Sequence, residues 1–356
     1  MNAGIHVERV PSLDDLRSEW NAMAYGRSVF ATWEWTDAWW RHFGRGRELL
    51  LYACRSEDGR LAAILPLYRW RSRPLAVIRF LGHGPGDELG PVCAPGAHAE
   101  AAAGLLLALD GLEPDAFVGE QLPGEERWPD LLGGTVWRRE ANPTVRAPDG
   151  GWEGWLAGRS ANFREQLRRR SRTLDRRGAR FRLADEPSLE GDLDALFSLH
   201  QARWGAQRTA FEDSPFHREV ARTTLARGWL RLWLLELDGL PVAAWHGFQV
   251  GPVASYYQAG RDPGCGRLSV GFVLLAHSLR AAIEEGASEY RFGRGAEEFK
   301  YRFTDLDPGL ESVVVTGTPV GRAAVVTART ARGARRRAIG AAGWARSLTT
   351  ARRSTS

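Results

Sequence analysis

Hydrophobic and polar positions between residues 230 and 303 follow patterns that predict three strands, a helix and a further strand. Two apolar runs rich in Leu, Trp and Val flank Asp238-Gly239, a dipeptide typical of a tight hairpin turn. A third strand is predicted over residues 253–260. A helix then starts near Ser269 and ends at Gly286, and because it is apolar on two sides we expect it to pack between layers.

A glycine turn, Arg261-Asp-Pro-Gly264-Cys-Gly266, lies between the third strand and this helix. A turn that leads from a strand into a helix presents free backbone N–H groups and the positive end of the helix dipole to an anion. The segment therefore predicts a pyrophosphate-binding site. The alternative is a tight turn followed by an ordinary helix cap at Ser269.

Lys300 is the single lysine of the chain, against 47 arginines. A lysine retained in such a composition is expected where a compact ammonium is needed and a planar guanidinium does not serve. The alternative is a lysine without a role on an exposed turn.

Several segments resemble the CelD/BcsL acetyltransferases, a GNAT-type group related to the FemABX-like proteins. In the second half these segments are FREQLRRRSRTL, LFSLHQARW, GWLRLWLLELDGLPVAAWHGF, YYQAGRDP, SVGFVLLAHSLRAAIEEGASEYRF and GRGAEEFKYRF, and in the first half they are SVFATWEWTDAWWRHFG, GRLAAILPLYRW and IRFLG. The turn at Arg261 resembles the acyl-CoA loop R/Q-x-x-G-x-G/A. Gly295 and Lys300 match a family pattern that reads roughly D-F-x-x-G-x-x-x-Y-K, whereas Arg291 replaces its acidic residue and Phe299 its tyrosine.

The resemblance implies an α/β protein with two GNAT-like domains, each a mixed, mostly antiparallel sheet flanked by helices. The expected parts are an N-terminal domain over 1–150, an acyltransferase domain over 151–318 and a basic tail over 319–356. Prolines and the Gly150-Gly151 pair punctuate the connection between the two domains.

The resemblance also implies transfer of an acyl group, in first place acetyl, from acyl-CoA to an amine or hydroxyl of a cell-envelope or exopolysaccharide precursor, without a metal. The expected donor-binding residues are Arg261, Gly264, Gly266, Ser269 and Gly271. Lys300 would stabilise the donor or the developing oxyanion, and the base is one of Tyr256, Tyr257 and Glu297. The residues expected to line the acceptor cleft are His200, Arg203, Trp204 and Gly295.

Two other hypotheses belong to different classes. One is a FemABX-like ligase that takes an aminoacyl group from tRNA to build a peptidyl bridge. The other is a non-catalytic accessory protein of polysaccharide synthesis that keeps only the fold. A thermal shift with acetyl-CoA against charged tRNA distinguishes the first two, and a lack of response to either favours the third.

Basic residues concentrate in two places. Residues 312–356 hold nine arginines and no acidic residue, so the net charge of +5 leaves −4 for the preceding residues. The tail is expected to be disordered, or to form an amphipathic helix on an anionic membrane surface.

In a predicted helix, four arginines spaced four apart form one row: Arg164, Arg168, Arg172 and Arg176. This row is either a solvated face or a contact for phosphates of a coenzyme, tRNA, nucleotide-sugar or lipid-linked acceptor, and without interleaved aromatic residues we favour a phosphate or lipid headgroup over tRNA.

The remaining signals concern compartment and core. Three cysteines without close pairing favour a reducing compartment and disfavour a disulfide framework or zinc cluster, so a cytoplasmic protein, peripheral at most to the inner face of the membrane, is expected.

Trp35 and Trp39 are four apart, which favours core packing over a sugar-stacking platform. Strand alternation favours a buried structural role for His246. Asp87 and Glu88 lie in a glycine-rich loop and either face the cleft between the domains or are ordinary turn residues.

Overall fold

A computed structural model of the protein describes residues 4–72, 75–205 and 211–331. These residues form two mainly antiparallel sheets flanked by helices, which confirms the predicted α/β class. The helices, labelled α1 to α10 in chain order, span Arg17–Ala24, Trp33–Phe43, His98–Leu112, Trp128–Leu131, Gly151–Ala157, Ala161–Asp175, Leu189–Trp204, Pro215–Ala226, Val270–Glu284 and Glu298–Tyr301. The strands, labelled β1 to β14, span His6–Val10, Glu48–Arg55, Leu61–Ser72, Leu75–Phe80, Val92–Cys93, Ala116–Pro123, Thr135–Glu140, Thr144–Arg146, Arg180–Leu183, Leu230–Leu237, Leu240–Val250, Val253–Arg261, Glu289–Arg291 and Leu310–Thr316.

The first sheet has the strand order β1-β2-β3-β4-β6-β14-β7. Strand β5 is not part of this order and pairs with β3. Its strands pair antiparallel except for β4 and β6, which are parallel because α3 carries the chain back between them. The second sheet has the order β8-β13-β12-β11-β10-β9, and here β12 and β13 form the parallel pair, joined by α9.

The two sheets exchange strands across the boundaries that the sequence led us to expect. Strand β8 precedes residue 150 but pairs with β13 of the second sheet, through Val145 opposite Tyr290. Strand β14 precedes residue 318 but lies between β6 and β7 of the first sheet. The division into 1–150 and 151–318 therefore stays a prediction for the domains, and the sheets themselves do not follow it at β8 and β14.

Helix α9 packs between layers, as its two apolar sides predict. One side lies on the second sheet against Ala243 and Trp245, and the other contacts α5 and α6. On β11, Ala244 and Phe248 face the opposite side, where α7 and the 3-10 helix Val29–Ala31 of the first half pack. At Gly260 any side chain would collide with the α7 backbone at Leu199 and His200, so glycine permits this close approach of helix and strand.

Aromatic side chains of α2 join the two halves of the protein. The Trp35 ring lies edge-on to Phe216 at 5.3 Å and to Tyr257 at 5.7 Å between ring centroids. Trp35 and Trp39 are completely buried, so the tryptophan cluster is core and offers no stacking platform to a sugar. Within the described ranges, the model contains no helix with the length and apolarity needed to span a bilayer.

Three buried histidines surround Phe211 next to this interface. His200 lies on α7, His217 on α8 and His246 on β11, with ring centroids 5.1, 4.7 and 6.0 Å from that of Phe211. His246 is 1% exposed, which agrees with the buried position predicted for it, and neither of its ring nitrogens has a hydrogen-bond partner among the described residues. Burial lowers the pKa of His246 to about 3 and the pKa values of His200 and His217 to about 4.

The cluster predicts a loss of stability in mild acid. The unfolded chain takes up protons near pH 6.5, whereas the folded cluster stays neutral down to about pH 4. Its contribution is therefore complete above pH 6.5 and is lost as the pH falls toward 4 and then 3. We expect the midpoint of thermal unfolding to fall by roughly 5 °C or more between pH 7 and pH 5.

The variant His246→Gln should flatten this pH dependence, measured by calorimetry from pH 7 to 4. The matched control His6→Gln changes an exposed strand residue and should leave the dependence unchanged. An equally steep loss of stability in His246→Gln would assign the acid sensitivity to other groups.

Candidate functional site

Strands β12 and β13 separate after a short paired stretch and open the second sheet. They pair only through Val253 with Glu289, Ala254 with Tyr290 and Ser255 with Arg291. Strand β12 then continues to Arg261 without a β13 partner in the described part of the chain. On its other edge, β12 pairs with β11 through a bulge in which Tyr257 is the extra residue, and bulges of this kind re-aim side chains.

The opening contains a cavity of about 300 Å³, which we name the α9 cavity. Its walls come from β11, β12, the 3-10 helix Pro263–Leu268 and α9, together with the end of α7 and the segment of α10 and the residues that follow it. The residues lining it are Arg203, Ala244, Trp245, Tyr256, Ala259, Gly260, Arg261, Gly266, Ser269, Val270, Gly271, Phe272, Leu274, Leu275, Phe299, Arg302 and Phe303.

The first turn of α9 lines this cavity with Val270, Gly271 and Phe272. The amides of Phe272 and Val273 bond to the Ser269 carbonyl at 3.0 and 3.2 Å. Those of Val270 and Gly271 have no hydrogen-bond acceptor among the described residues, and the Ser269 side chain makes no capping bond with any of them. The uncapped first turn thus retains free donors and the positive end of the helix dipole.

Three arginines of the α9 cavity lack a carboxylate partner among the described residues: Arg203, Arg261 and Arg302. The Arg203 guanidinium lies over the Trp204 ring at 4.7 Å and the Phe299 ring at 5.8 Å. Arg302 lies 4.2 Å over the Phe272 ring, and partial burial lowers its pKa. Because cations held against apolar rings without a counter-charge favour an anionic ligand, the cavity is suited to phosphate groups.

The predicted donor-binding residues separate into two groups. Arg261, Gly266, Ser269 and Gly271 line the α9 cavity together. A methyl group at Gly271 would lie 3.4 Å from Arg261 Cδ, an ordinary contact, so the space above this glycine is open. Gly264 is not on the cavity wall, and its amide donates to Asp262 Oδ1 at 2.7 Å. Its predicted contact with a ligand is therefore disfavoured, because the chain's own carboxylate uses the amide.

A second cavity of about 110 Å³, which we name the cleft cavity, lies between the two halves of the protein. Its lining residues are Gly84, Pro85, Asp87, Trp204, Phe211, Tyr256, Tyr257, Gln258, Phe292, Gly293, Arg294, Glu297, Phe299 and Lys300. Tyr256 and Phe299 line both cavities, with their ring centroids 6.2 Å apart. The two cavities therefore meet at these two rings.

Lys300 is buried in the wall of the cleft cavity, and its ammonium is fully occupied. Its Nζ donates to the carbonyls of Gly293, Arg294 and Gly295 at 3.1, 2.9 and 3.2 Å, and lies 2.8 Å from Glu297 Oε2. An ammonium has three hydrogens, so an oxyanion could bind Lys300 only by displacing these partners. The converging carbonyls explain why a compact ammonium is needed here, and they favour a positioning role over contact with a substrate.

The three candidate bases differ in what their oxygen atoms contact. Tyr257 Oη donates to the Pro85 carbonyl and meets His217 Nε2, both at 3.1 Å, and burial raises its pKa well above the usual value. Burial also raises the pKa of Tyr256 to about 12, partly offset by the Arg203 guanidinium. Glu297 is half-exposed and paired with Lys300. Both phenols remain protonated at neutral pH, which disfavours either as a base.

The predicted acceptor residues are only partly brought together. Trp204 lines the cleft cavity and Arg203 the α9 cavity, while His200 is buried against β12 outside both walls. Gly295 offers its carbonyl to Lys300 and lines neither cavity.

Sequence reasoning missed Arg302 and Arg294, and it left Asp87 undecided. Asp87 lines the cleft cavity, so of the two possibilities for its loop the one that faces the cleft between the two halves applies. Arg302 follows Lys300 by two residues, but nothing in the sequence distinguishes it from the many other arginines. No group of three metal-binding side chains occurs among the residues that the structure covers.

Residues 161–301 match a family model described as an acetyltransferase (GNAT) domain. This range includes α6, α9 and every strand from β9 to β13, and therefore the opening between β12 and β13. The chain thus contains a GNAT-fold acetyltransferase domain. No protein with a curated description matches the chain.

Solved structures share the two-sheet fold at low sequence identity. FemX is similar to this chain with a TM-score of 0.62 at 12% identity, over 87% of this chain and 97% of FemX. A second structure is the C-terminal domain of a putative lysylphosphatidylglycerol synthetase from Agrobacterium fabrum. Its TM-score is 0.57 at 13% identity, and the match covers 88% of this chain and 95% of that domain. L-PGS from Bacillus licheniformis has a TM-score of 0.57 at 12% identity, and the match covers 87% of this chain and 93% of L-PGS. At these identities the likeness establishes the fold.

Lys300→Arg should loosen the loop from Gly293 to Glu297, because a planar guanidinium cannot direct its donors at three converging carbonyls. We expect a loss of about 2 kcal/mol in the free energy of unfolding. Hydrogen exchange should also become faster at the Gly295 amide, which bonds to the Ala141 carbonyl at 3.0 Å. Denaturant unfolding and hydrogen-exchange mass spectrometry measure these effects.

Arg45→Lys is the control, because it replaces one cation by the other at an exposed position. It should change neither the free energy of unfolding nor the hydrogen-exchange rate of the loop. Unchanged protection of the loop in Lys300→Arg would contradict the positioning role.

Proposed function

We propose that the protein is an acyltransferase of the CelD/BcsL kind. It transfers an acyl group, in first place acetyl, from acyl-CoA to an amine or hydroxyl of a small-molecule or lipid-linked precursor of the cell envelope or an exopolysaccharide. The observation that carries the proposal is the meeting of the two cavities at Tyr256 and Phe299. One cavity is suited to an anionic donor, and the other gives an acceptor access to the same point.

The donor side follows from charge and shape. A diphosphate fits the free amides of Val270 and Gly271 at the α9 N-terminus, where the dipole favours negative charge. The arginines Arg203, Arg261 and Arg302 supply cations without carboxylate partners among the described residues. The remaining wall is apolar and includes Leu274 and Leu275, which suits the uncharged arm of an acyl carrier.

Acyl transfer at this site needs few side chains. Binding both substrates next to Tyr256 supplies proximity, an effect worth up to roughly 7–11 kcal/mol in well-oriented reactions. Beyond Ser255, the edge of β12 that pairs with no described strand offers backbone groups that can polarise the thioester carbonyl. A base then has only to take a proton from the attacking group.

A second candidate is a ligase of the FemABX kind that takes its aminoacyl group from tRNA. Helix α6 and the two residues after it favour this candidate, because this segment has four exposed arginines without a carboxylate partner among the described residues: Arg169, Arg172, Arg176 and Arg177. Arg168 in the same helix pairs with Glu165 at 2.7 Å. A row of uncompensated cations attracts a phosphate backbone, and similarity in fold to FemX makes this donor worth testing.

Acetyl-CoA is expected to bind the wild-type protein and raise the midpoint of thermal unfolding. Arg302→Met should weaken binding about tenfold, because a charge-assisted contact to phosphate is worth about 1.5 kcal/mol. Isothermal titration calorimetry measures the dissociation constant. Arg45→Met, which removes an exposed arginine remote from the cavity lining, is the control and should leave it unchanged.

Three outcomes distinguish the hypotheses. Binding of acetyl-CoA that weakens in Arg302→Met supports the proposal. Stabilisation by aminoacyl-tRNA alone, weakened by Arg172→Gln and Arg176→Gln, would replace it with the ligase. No response to either donor would favour a non-catalytic accessory protein.

We also propose that the basic tail attaches this cytoplasmic protein to an anionic membrane surface. Residues 319–331 are helical and mostly exposed, with Val320 and Val326 open to solvent and Gly321 buried. The other residues of the predicted tail, 332–356, lie outside the described residues. An exposed helix with apolar and arginine side chains is typical of an interfacial segment.

Deletion of residues 320–356 should abolish co-sedimentation with phosphatidylglycerol vesicles, because it removes all but one residue of the exposed helix and the arginines that follow. Binding of acetyl-CoA should be unaffected. Vesicles of phosphatidylcholine are the neutral control. Continued sedimentation of the deleted protein with anionic vesicles would reject the role of the tail.

A further inference from the structure

The three arginines of the α9 cavity that have no carboxylate partner among the described residues lie in two places. Two of them are at the first turn of α9, where the proposed diphosphate binds. A methyl group at Gly271 would lie 3.4 Å from Arg261 Cδ, and Arg302 Cζ lies 4.2 Å from the centroid of the Phe272 ring. The third, Arg203, lies over rings of α7 and α10, so it is available to a different part of the donor.

Arg203 lies where the two cavities meet. The end of α7 places consecutive residues on different walls, because Arg203 lines the α9 cavity and Trp204 the cleft cavity. Arg203 Cζ is 5.8 Å from the centroid of the Phe299 ring. Burial raises the pKa of Tyr256 and the charge of Arg203 opposes that rise, so the guanidinium is close to the phenol as well. Phe299 and Tyr256 are the rings shared by the two cavities, which places this cation at the point of acyl transfer.

Lys300, which the sequence assigned to the developing oxyanion, is not free to bind it. Three main-chain carbonyls and the Glu297 carboxylate lie within 3.2 Å of its Nζ. Arg203 differs, because aromatic rings hold its guanidinium in place but offer few acceptors for its five N–H donors. Phe299 stands where the pattern that this segment resembles has a tyrosine, so the ring under Arg203 carries no hydroxyl to occupy these donors. Arg203 can therefore receive a new negative charge, whereas Lys300 would first have to lose a partner.

Acyl transfer creates such a charge at the junction of the cavities. The thioester carbonyl is neutral in the bound donor, and its oxygen becomes an oxyanion in the tetrahedral intermediate. A fixed cation beside that oxygen stabilises the intermediate more than the bound donor, so it raises the rate and not the affinity. Arg203 is partly buried, and charges interact more strongly where water is excluded. A guanidinium also stays protonated throughout the reaction.

We infer that Arg203 is a catalytic residue that binds the thioester carbonyl oxygen of the donor and stabilises the oxyanion formed from it. The inference rests on the proposed acyl transfer. A nucleophile attacks the carbonyl carbon, and the π electron pair of the C=O bond moves to the oxygen that faces Arg203. When the C=O bond re-forms, the C–S bond breaks and the thiolate leaves. The thiolate takes the proton that the nucleophile gives up, and Arg203 neither gains nor loses one.

Hydroxylamine is a probe nucleophile for this step, because it is mostly uncharged at neutral pH and attacks without help from a base. With saturating acetyl-CoA it forms acetohydroxamate, which is measured as its ferric complex after subtraction of the uncatalysed rate. Arg203→Met keeps the apolar stem and should lower kcat about 100-fold, because loss of one oxyanion donor costs about 10²–10³-fold in rate. Isothermal titration calorimetry should find the dissociation constant of acetyl-CoA unchanged.

Arg17→Met is the matched control for the loss of an arginine held over a ring. Arg17 Cζ lies 4.1 Å from the centroid of the Trp33 ring, and Arg17 lines neither the α9 cavity nor the cleft cavity. This variant should keep the wild-type rate. Guanidinium chloride at a low, non-denaturing concentration should restore part of the lost rate in Arg203→Ala and have no effect on Arg17→Ala. A purely structural role of Arg203 would not allow this rescue.

Isotope-edited infrared spectroscopy reports on the carbonyl itself and needs no nucleophile, so it decides the question even if hydroxylamine is not accepted. With acetyl-CoA labelled with carbon-13 at the carbonyl, we expect the C=O band of the bound donor to lie at lower wavenumber than that of the free donor. A hydrogen bond from a cation weakens the C=O bond and causes this shift. Arg203→Met should move the band back toward its position in free acetyl-CoA, and Arg17→Met should leave it shifted.

The possible failures of the inference and of the proposed function are distinguishable. An unshifted band in bound acetyl-CoA, or an unchanged band in Arg203→Met, would overturn the inference and leave the proposed function standing. Tighter binding of succinyl-CoA than of acetyl-CoA that is lost in Arg203→Met would also overturn it, because Arg203 would then bind a carboxylate of the acyl group. Failure of the wild-type protein to bind acetyl-CoA would overturn both.

Discussion

The separation of β12 from β13 is the structural feature on which the site depends. Strands that stay paired satisfy each other's backbone groups and leave no opening in a sheet. Here the pairing stops at Ser255, so the edge of β12 becomes the wall of a cavity that ends at the first turn of α9. The bulge at Tyr257 lets Tyr256 face both cavities. The sheet therefore opens at a cavity lined both by the first turn of α9 and by three arginines that have no carboxylate partner among the described residues.

The position of the first half determines the other side of the site. The segment after β13 turns back on itself, and Lys300 holds three of its carbonyls. Asp87 and Glu88 then join this segment to the first sheet through Arg294 and Arg291. Strand β14 returns to the first sheet, which further fixes the two halves to each other. The cleft is thus held by charge pairs and a shared sheet.

Local patterns predicted the second sheet well and the site only in part. The hairpin at Asp238, the third strand and α9 follow from periodicity and turn chemistry, which depend on neighbouring residues. Strand β14 pairs in the first sheet although it lies within the expected range 151–318 of the second domain, because the sequence of a strand does not encode which sheet edge it pairs with. The sequence also indicated the importance of Lys300 but not that its ammonium is saturated, and it did not reveal that Asp262 occupies the amide of Gly264. Those facts depend on three-dimensional proximity.

A crystal structure of the protein with acetyl-CoA tests the central claim most directly. The account predicts the diphosphate against the amides of Val270 and Gly271, with Arg302 nearby, and the acetyl group at Tyr256. A complex in which the diphosphate lies away from the α9 N-terminus, or in which the thioester does not enter the opening between β12 and β13, would contradict it.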